Sequence, residues 1–488
     1  MSIQSNQFAE IPVESYVTER AAKFIESSTF DNIPVEAIDI GKRCLLDGLG
    51  LFVAGSDQET VIILADLAAE QGGKDEALIL GHEDIRVPAP AAARVLGTAG
   101  HAHDWDDSQV SIDPDHVYGL LTHPTIPALT ASIVMSQRHG NVSGKEFMLA
   151  FLTGFEVECK ISEWMFSQHY KRGFHSSGTV GTFGAFSAAA KILKLDGERL
   201  RNGLGIAASL AAGIRCNFGT MTKPLHVGRA SENGVTAAIL ASKGFTADKA
   251  ALDGPWGYFA VQGGGVTADK LDTQDFGKPW SIVEPGVSIK PYPCGVLTHP
   301  TIDLMVKLVT ENDIKPDDIE NVVIKAGSNI LNPIRYPIAS NHLEAKFSLQ
   351  AVLSMVALSR KAGKFEFEDN FVQAEAMQAM QKRMQTKFDP EIEAMGFDKM
   401  RSSIHIQLKN GSIVSGNADE RYRGGPEYPL TIEELKDKVR SCCDGVLESE
   451  QVTNLINQSH SILDMADAST LANLIQAKTR QNLNIVNS

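Results

Sequence analysis

The chain has 488 residues, 43% hydrophobic and 22% charged, with a formal net charge of −15. That length exceeds the roughly 250–300 residues at which one hydrophobic core stops growing, so two domains are expected. The acidic balance argues against nucleic-acid and anionic-membrane partners, which need a concentrated excess of Lys and Arg, though a few local cations can still bind an anionic small molecule.

The opening MSIQSNQFAEIPVESYVTER has no basic stretch leading into an apolar run, and no later apolar run is long enough to span a bilayer, so the expected compartment is the cytoplasm. From about residue 15 to 250 the pattern is helical and rich in Ala and Gly. An Ala-rich helical stretch beginning at Pro88 runs into His101-Ala102-His103-Asp104-Trp105-Asp106-Asp107-Ser108. Three carboxylates and two imidazoles beside an apolar element are costly to bury without a purpose, and a solvated helix end is the plain alternative. The H-x-H-D…D-D order lacks the ligand spacing of a helical zinc site or the register of a calcium loop, so no metal is expected.

His123 comes next, before Pro124, which suits the first turn of a helix. A ring near such an N-terminus stands where anions are favoured, and a capping His explains it equally well. Ser143 and Glu146 have the spacing of a capping box, followed by Phe147, Ala150, Phe151, Gly154 and Phe155 at helical intervals. His175 opens the small-residue stretch 176–190, which with 204–213 suits a buried layer of closely approaching helices. Lys223, His226 and Arg229 fall within seven residues of Gly- and Pro-punctuated sequence, where an ammonium before Pro224 can be fixed as a carboxylate partner.

Near residue 280 the texture changes to turn-formers, and Lys290-Pro291-Tyr292-Pro293 falls at this boundary, where small-molecule clefts are common. Residues 319–325 read as a strand, 344–362 and 367–386 as helices. The alternating 403–408 precedes Asn410-Gly411 and Ile413-Val414, a hairpin with the residues that a type I′ turn prefers. From Thr431 the pattern is helical again. Six cysteines without a C-x-x-C pair indicate reduced thiols. Dinucleotide, P-loop, nucleophile-elbow and zinc-hydrolase motifs are all missing, so acid/base chemistry without a cofactor is what remains.

Taken in order, HDWDDS at 103–108, THP at 122–124, GFHSSGTVGTFGA at 173–185, NFGTMTKPLHVGRASENG at 217–234 and KPYPCGVLTHP at 290–300 resemble the MmgE/PrpD family over residues 15–460. The resemblance implies a homodimer that is mainly α with an α+β lid: a helical domain formed by 1–284 and 424–488, with the lid inserted as 285–423. It implies a pocket for a small di- or tricarboxylate. Asp104, His123, His175 and Lys223 would be catalytic, and Ser108, His226, Arg229 and Lys290 would bind substrate. Two departures stand out: Gly295 replaces a His that decarboxylase-like members have five residues after the lid lysine, and their lid Tyr has no match at Asn332-Pro333, although Tyr336 is close. The implied chemistry is therefore placed first as dehydration of 2-methylcitrate or a related hydroxy-tricarboxylate. Decarboxylation of a cis-aconitate type follows, then epimerisation of an iminodisuccinate-like acid, which the run from His169 to His175 resembles. Outside enzymes, a carboxylate-binding protein is the alternative.

Overall fold

The computed structural model describes residues 16–111, 122–165, 167–266 and 268–476; most of the opening stretch read for a targeting signal and the last residues of the expected C-terminal helical segment lie outside them. Two hydrophobic cores divide the chain. The first is drawn from residues 17–289 and again from 430–475, while the second gathers residues 294–422 with Val110 and Phe218. The fold is mainly helical, with small α+β elements in the second core. Among the described residues no single helix is long and apolar enough to cross a membrane.

Helix Gly144–Trp164 begins where the capping box places it: the Ser143 hydroxyl accepts from the Glu146 amide, and the Glu146 carboxylate accepts from the Ser143 amide. The helices that frame the site are packed through small residues. Helix Ala89–His101 lies against helix Thr222–Ser242 at Gly97 and Gly228, and a Cβ on Gly228 would run into Thr98 Oγ1 and the Arg94 carbonyl. Because a backbone carbonyl cannot swing aside, Gly228→Ala should destabilise the protein by about 1–3 kcal/mol, the usual cost of overpacking. Urea denaturation reads this directly. A midpoint equal to that of the unsubstituted protein would mean the two helices do not touch there.

The second core is built on a four-stranded sheet ordered Met384–Phe388, Ile319–Ala326, Ser402–Leu408, Ile413–Asn417. The first two strands are parallel and the other pairs antiparallel, with helices His299–Glu311 and Leu349–Ser359 packed on the sheet. Two expectations are corrected here. The helix expected over 367–386 is only Glu375–Gln381 at its longest, and the chain then turns into a strand, because Met384–Phe388 finds an open partner in Ile319–Ala326. The hairpin forms, but not through a type I′ turn. Gly411 N donates to Leu408 O and Leu408 N donates to Ser412 O, and only Gly411 of the turn pair has positive φ, at 88°. This is a type I turn closed by a glycine bulge, which needs one left-handed residue rather than two.

One short pairing matters for the site. Val287–Ser288 runs antiparallel to Ser108–Gln109, with Ser108 opposite Ser288. The segment that leads into the second core is thereby fixed beside the loop that ends helix Ala89–His101, and Lys290, two residues on, is delivered to Asp104.

Candidate active site

A pocket lies between the two cores, lined by a few convergent polar groups and an apolar wall as small-molecule sites commonly are. Its polar side carries Asp104, His123, Tyr170, His175, Lys223 and Lys290, and its apolar side is made by Phe218, Val296, Leu297, Ile334 and Phe347. Each polar group is placed by a break in regular structure. Asp104 follows the end of helix Ala89–His101 in the left-handed region, at φ 52°, where a non-glycine residue is held only by its surroundings. His123 precedes helix Thr125–His139, His175 caps the short helix Ser176–Thr179, and Lys223 is in the first turn of Thr222–Ser242.

Asp104 is the hub. Lys223 Nζ donates to its Oδ1 at 2.5 Å; Lys290 Nζ donates to its main-chain oxygen at 2.8 Å and lies 3.3 Å from the same Oδ1. Burial opposes ionisation of Asp104, but the two ammoniums overcome it and hold the carboxyl well below the usual range. Two cations thus share one anion, which leaves positive charge for a ligand carboxylate. Burial also lowers Lys223, against the pull of Asp104. Its ammonium lies 5.2 Å and 5.3 Å from the Phe218 and Phe347 ring centroids, two aromatic rings of the second core.

The histidines fall into distinct hydrogen-bond roles. His123 Nδ1 lies 2.6 Å from the Asp107 carbonyl, which can only accept, so Nδ1 carries the proton and Nε2 is left as an acceptor. Burial, reinforced by Lys290 and His101 and opposed by Asp106, brings its pKa down to about 3. His175 is likewise driven well below its ordinary value, by burial and then by Lys223. Its Nδ1 lies 3.0 Å from His226 Nδ1, while Nε2 has no hydrogen-bond partner among the described residues. The Tyr170 hydroxyl likewise has no partner among the described residues, and it is kept protonated because burial pushes its pKa to about 12.

These shifts carry a pH signature. The unfolded chain binds a proton at each His near pH 6.5, whereas the folded chain holds His123 neutral down to about 3. The stability associated with the neutral ring is therefore fully present above about 6.5 and declines as pH falls through that window. The melting temperature should drop between pH 7 and 5, and His123→Gln should flatten the drop. Superimposable profiles for the two proteins would contradict the buried neutral ring.

Residues 19–270 match the MmgE/PrpD N-terminal domain, and residues 292–461 match the MmgE/PrpD C-terminal domain. The chain belongs to the MmgE/PrpD family. This MmgE/PrpD chain is 27% identical over 469 residues to cis-aconitate decarboxylase of Homo sapiens, covering 94% of each protein. It is 28% identical over 478 residues to cis-aconitate decarboxylase of Mus musculus, covering 96% of this chain and 94% of the relative. The cis-aconitate decarboxylase of Aspergillus terreus is 23% identical over 504 residues, covering 98% of this chain and all of the relative.

Within this MmgE/PrpD pocket the structure brings together Asp104, His123, His175, Lys223 and Lys290, and it moves three expected substrate-binding residues out. Ser108 stands behind His123, its Oγ 3.2 Å from Nδ1. His226 stands behind His175. Arg229 is exposed and paired with Glu232, because six residues of helix carry it ~120° around the axis from Lys223.

Other residues were not legible as site residues. His101 gives Nδ1–H to the Asp106 carboxylate at 2.8 Å and takes the Lys223 ammonium on Nε2 at 2.7 Å, so it aims the lysine. Lys346 crosses from the second core to the Ala102 carbonyl at 2.9 Å, and burial lowers its pKa to about 8. Nothing in its neighbours Ala345 and Phe347 signals this. Gly295 lies against Ile334, whose Cδ1 would be 2.8 Å from an added Cβ, and Tyr336 bonds the Phe218 carbonyl at 3.0 Å without lining the pocket. Among the described residues, His101 with His123 and His175, or with Asp104 and Asp106, could share a cation. Both nitrogens of His101 are already engaged, so a cation there would have to displace the Lys223 ammonium.

Proposed function

We propose that this MmgE/PrpD chain is a lyase acting on a small di- or tricarboxylate, with decarboxylation of an unsaturated tricarboxylate of the cis-aconitate type as its leading reaction. The observation that carries this is the pairing of two ammoniums on a single carboxylate with a His175 Nε2 that has no hydrogen-bond partner among the described residues, in the same cavity. Lys223 and Lys290 would hold substrate carboxylates and stabilise the electron pair left on carbon as the C–CO₂⁻ bond breaks. His175 would then give that carbon a proton. A carboxylate set against Phe218, Leu297 and Phe347 loses hydration, which favours its departure as neutral carbon dioxide. The names of the curated relatives support the same choice.

Dehydration of a hydroxy-tricarboxylate such as 2-methylcitrate is the second reading, favoured by the acceptor Nε2 of His123: one ring could take a C–H proton while His175 protonates the leaving hydroxide. Product analysis by NMR in deuterium oxide separates the two. Carbon dioxide and a product with one solvent deuterium are expected from cis-aconitate. An alkene formed from 2-methylcitrate without carbon dioxide would move the assignment to dehydration, and stabilisation by carboxylates without any turnover would leave only a binding protein.

A further inference from the structure

The contact between His175 and His226 joins two Nδ1 atoms, 3.0 Å apart, and both rings are neutral: burial brings His226 to about 4 and His175 lower still. Two lone pairs or two N–H groups would repel at that distance, so one shared proton lies between them. Its owner sets the tautomer of the other ring. If His226 donates, His175 must carry its own proton on Nε2, the nitrogen of this cavity-lining ring that has no partner among the described residues. The outer ring is the less buried of the two, 8% exposed against 3%.

The pair is held rigidly. Phe218 meets His175 at an interplanar angle of 83°, and Gly178 and Gly213 lie against Cβ and Cγ of His226, where added side chains would clash or crowd. The charged and titratable groups that face the two rings are Lys223, His101 and His123. All of them disfavour an imidazolium here, which makes a neutral exchange of tautomers the easier route for a proton.

We propose that His226 is the positioning and proton-supplying residue for His175. The inference rests on the reading of His175 as the donor to substrate carbon. When the His175 Nε2–H bond breaks and a C–H bond forms, the His226 Nδ1–H proton passes to His175 Nδ1, and His226 Nε2 takes a proton from solvent. Three protons move, both rings end neutral, and no other reactant is needed. Before the next turnover His175 Nε2 takes a proton from water entering the emptied cavity, the Nδ1 proton passes back to His226, and His226 Nε2 releases its proton to solvent, which restores both tautomers.

The test has one arm independent of substrate. Histidine ¹⁵N NMR of the full chain should find His226 as the Nδ1–H tautomer and His175 as Nε2–H; the reverse assignment overturns the proposal. In the other arm, His226→Asn, which can still donate to His175 Nδ1 but cannot pass a proton on, is given cis-aconitate. Expected is a single-turnover rate at least tenfold slower, because neutral His175 cannot give up its Nε2 proton unless one arrives on Nδ1, with KM little changed. In His226→Ala, added imidazole should restore part of the rate, which keeps the test open if the Asn variant folds poorly. A wild-type single-turnover rate in His226→Asn, or no recovery of His226→Ala with imidazole, overturns the relay. If the unsubstituted protein leaves cis-aconitate unchanged, the substrate reading fails instead, and the NMR arm still decides the tautomers.

Discussion

Replacing Lys223 by Ala is expected to lower kcat/KM by at least ~10²–10³-fold, the scale lost when one preorganised electrostatic partner is removed from a transition state. Lys223 is more than one partner. It bonds Asp104 and His101 at 2.5 and 2.7 Å and lies against two aromatic rings of the second core, so its ammonium has one position available. Lys290 remains on Asp104 in the variant, which keeps that buried carboxylate paired and spares the full ~3–5 kcal/mol cost of an orphaned charge. The variant should therefore fold, by circular dichroism, and still fail to turn over. Lys223→Met, which keeps length without charge, should be equally inactive. Activity within a factor of a few of the unsubstituted protein would remove Lys223 from the chemistry.

His175→Gln should cost ~10²–10⁴-fold in kcat, the usual contribution of a positioned proton donor, with KM changed far less because the two ammoniums still hold the carboxylates. A rise in KM with kcat preserved would instead make His175 a binding group. The same change at His123 distinguishes the two lyase reactions. Decarboxylation requires no base at that position and should lose less than tenfold, whereas dehydration would lose as much as at His175.

Much of the site is written in short motifs because its residues sit where helices begin and end. Proline or glycine accompanies His123, His175, Lys223 and Lys290 for that reason, and each break aims a side chain inward. Local sequence marks those breaks well and marks depth poorly. Ser108 and His226 are in the same motifs yet lie one side chain behind the cavity, and Arg229 is turned to solvent by the helix that carries Lys223. Ile334 and Phe347 reach the pocket, and Lys346 the Ala102 carbonyl, only through the packing of the second core, which no local pattern encodes. The same distinction holds in the fold. The capping box at Ser143 depends on four adjacent residues, whereas the strand Met384–Phe388 depends on a partner sixty residues earlier in the chain.

The claim on which everything else depends is that Lys223 and Lys290 together form a carboxylate site. Calorimetric titration with propane-1,2,3-tricarboxylate, which can neither lose water nor readily lose carbon dioxide, measures that site without any chemistry. The paired ammoniums predict saturable binding of one ligand per chain, weakened by about 10²-fold or more when both lysines are replaced by Met, since each charged hydrogen bond is worth roughly 1.5–3 kcal/mol. Unchanged affinity in a folded double variant would contradict it.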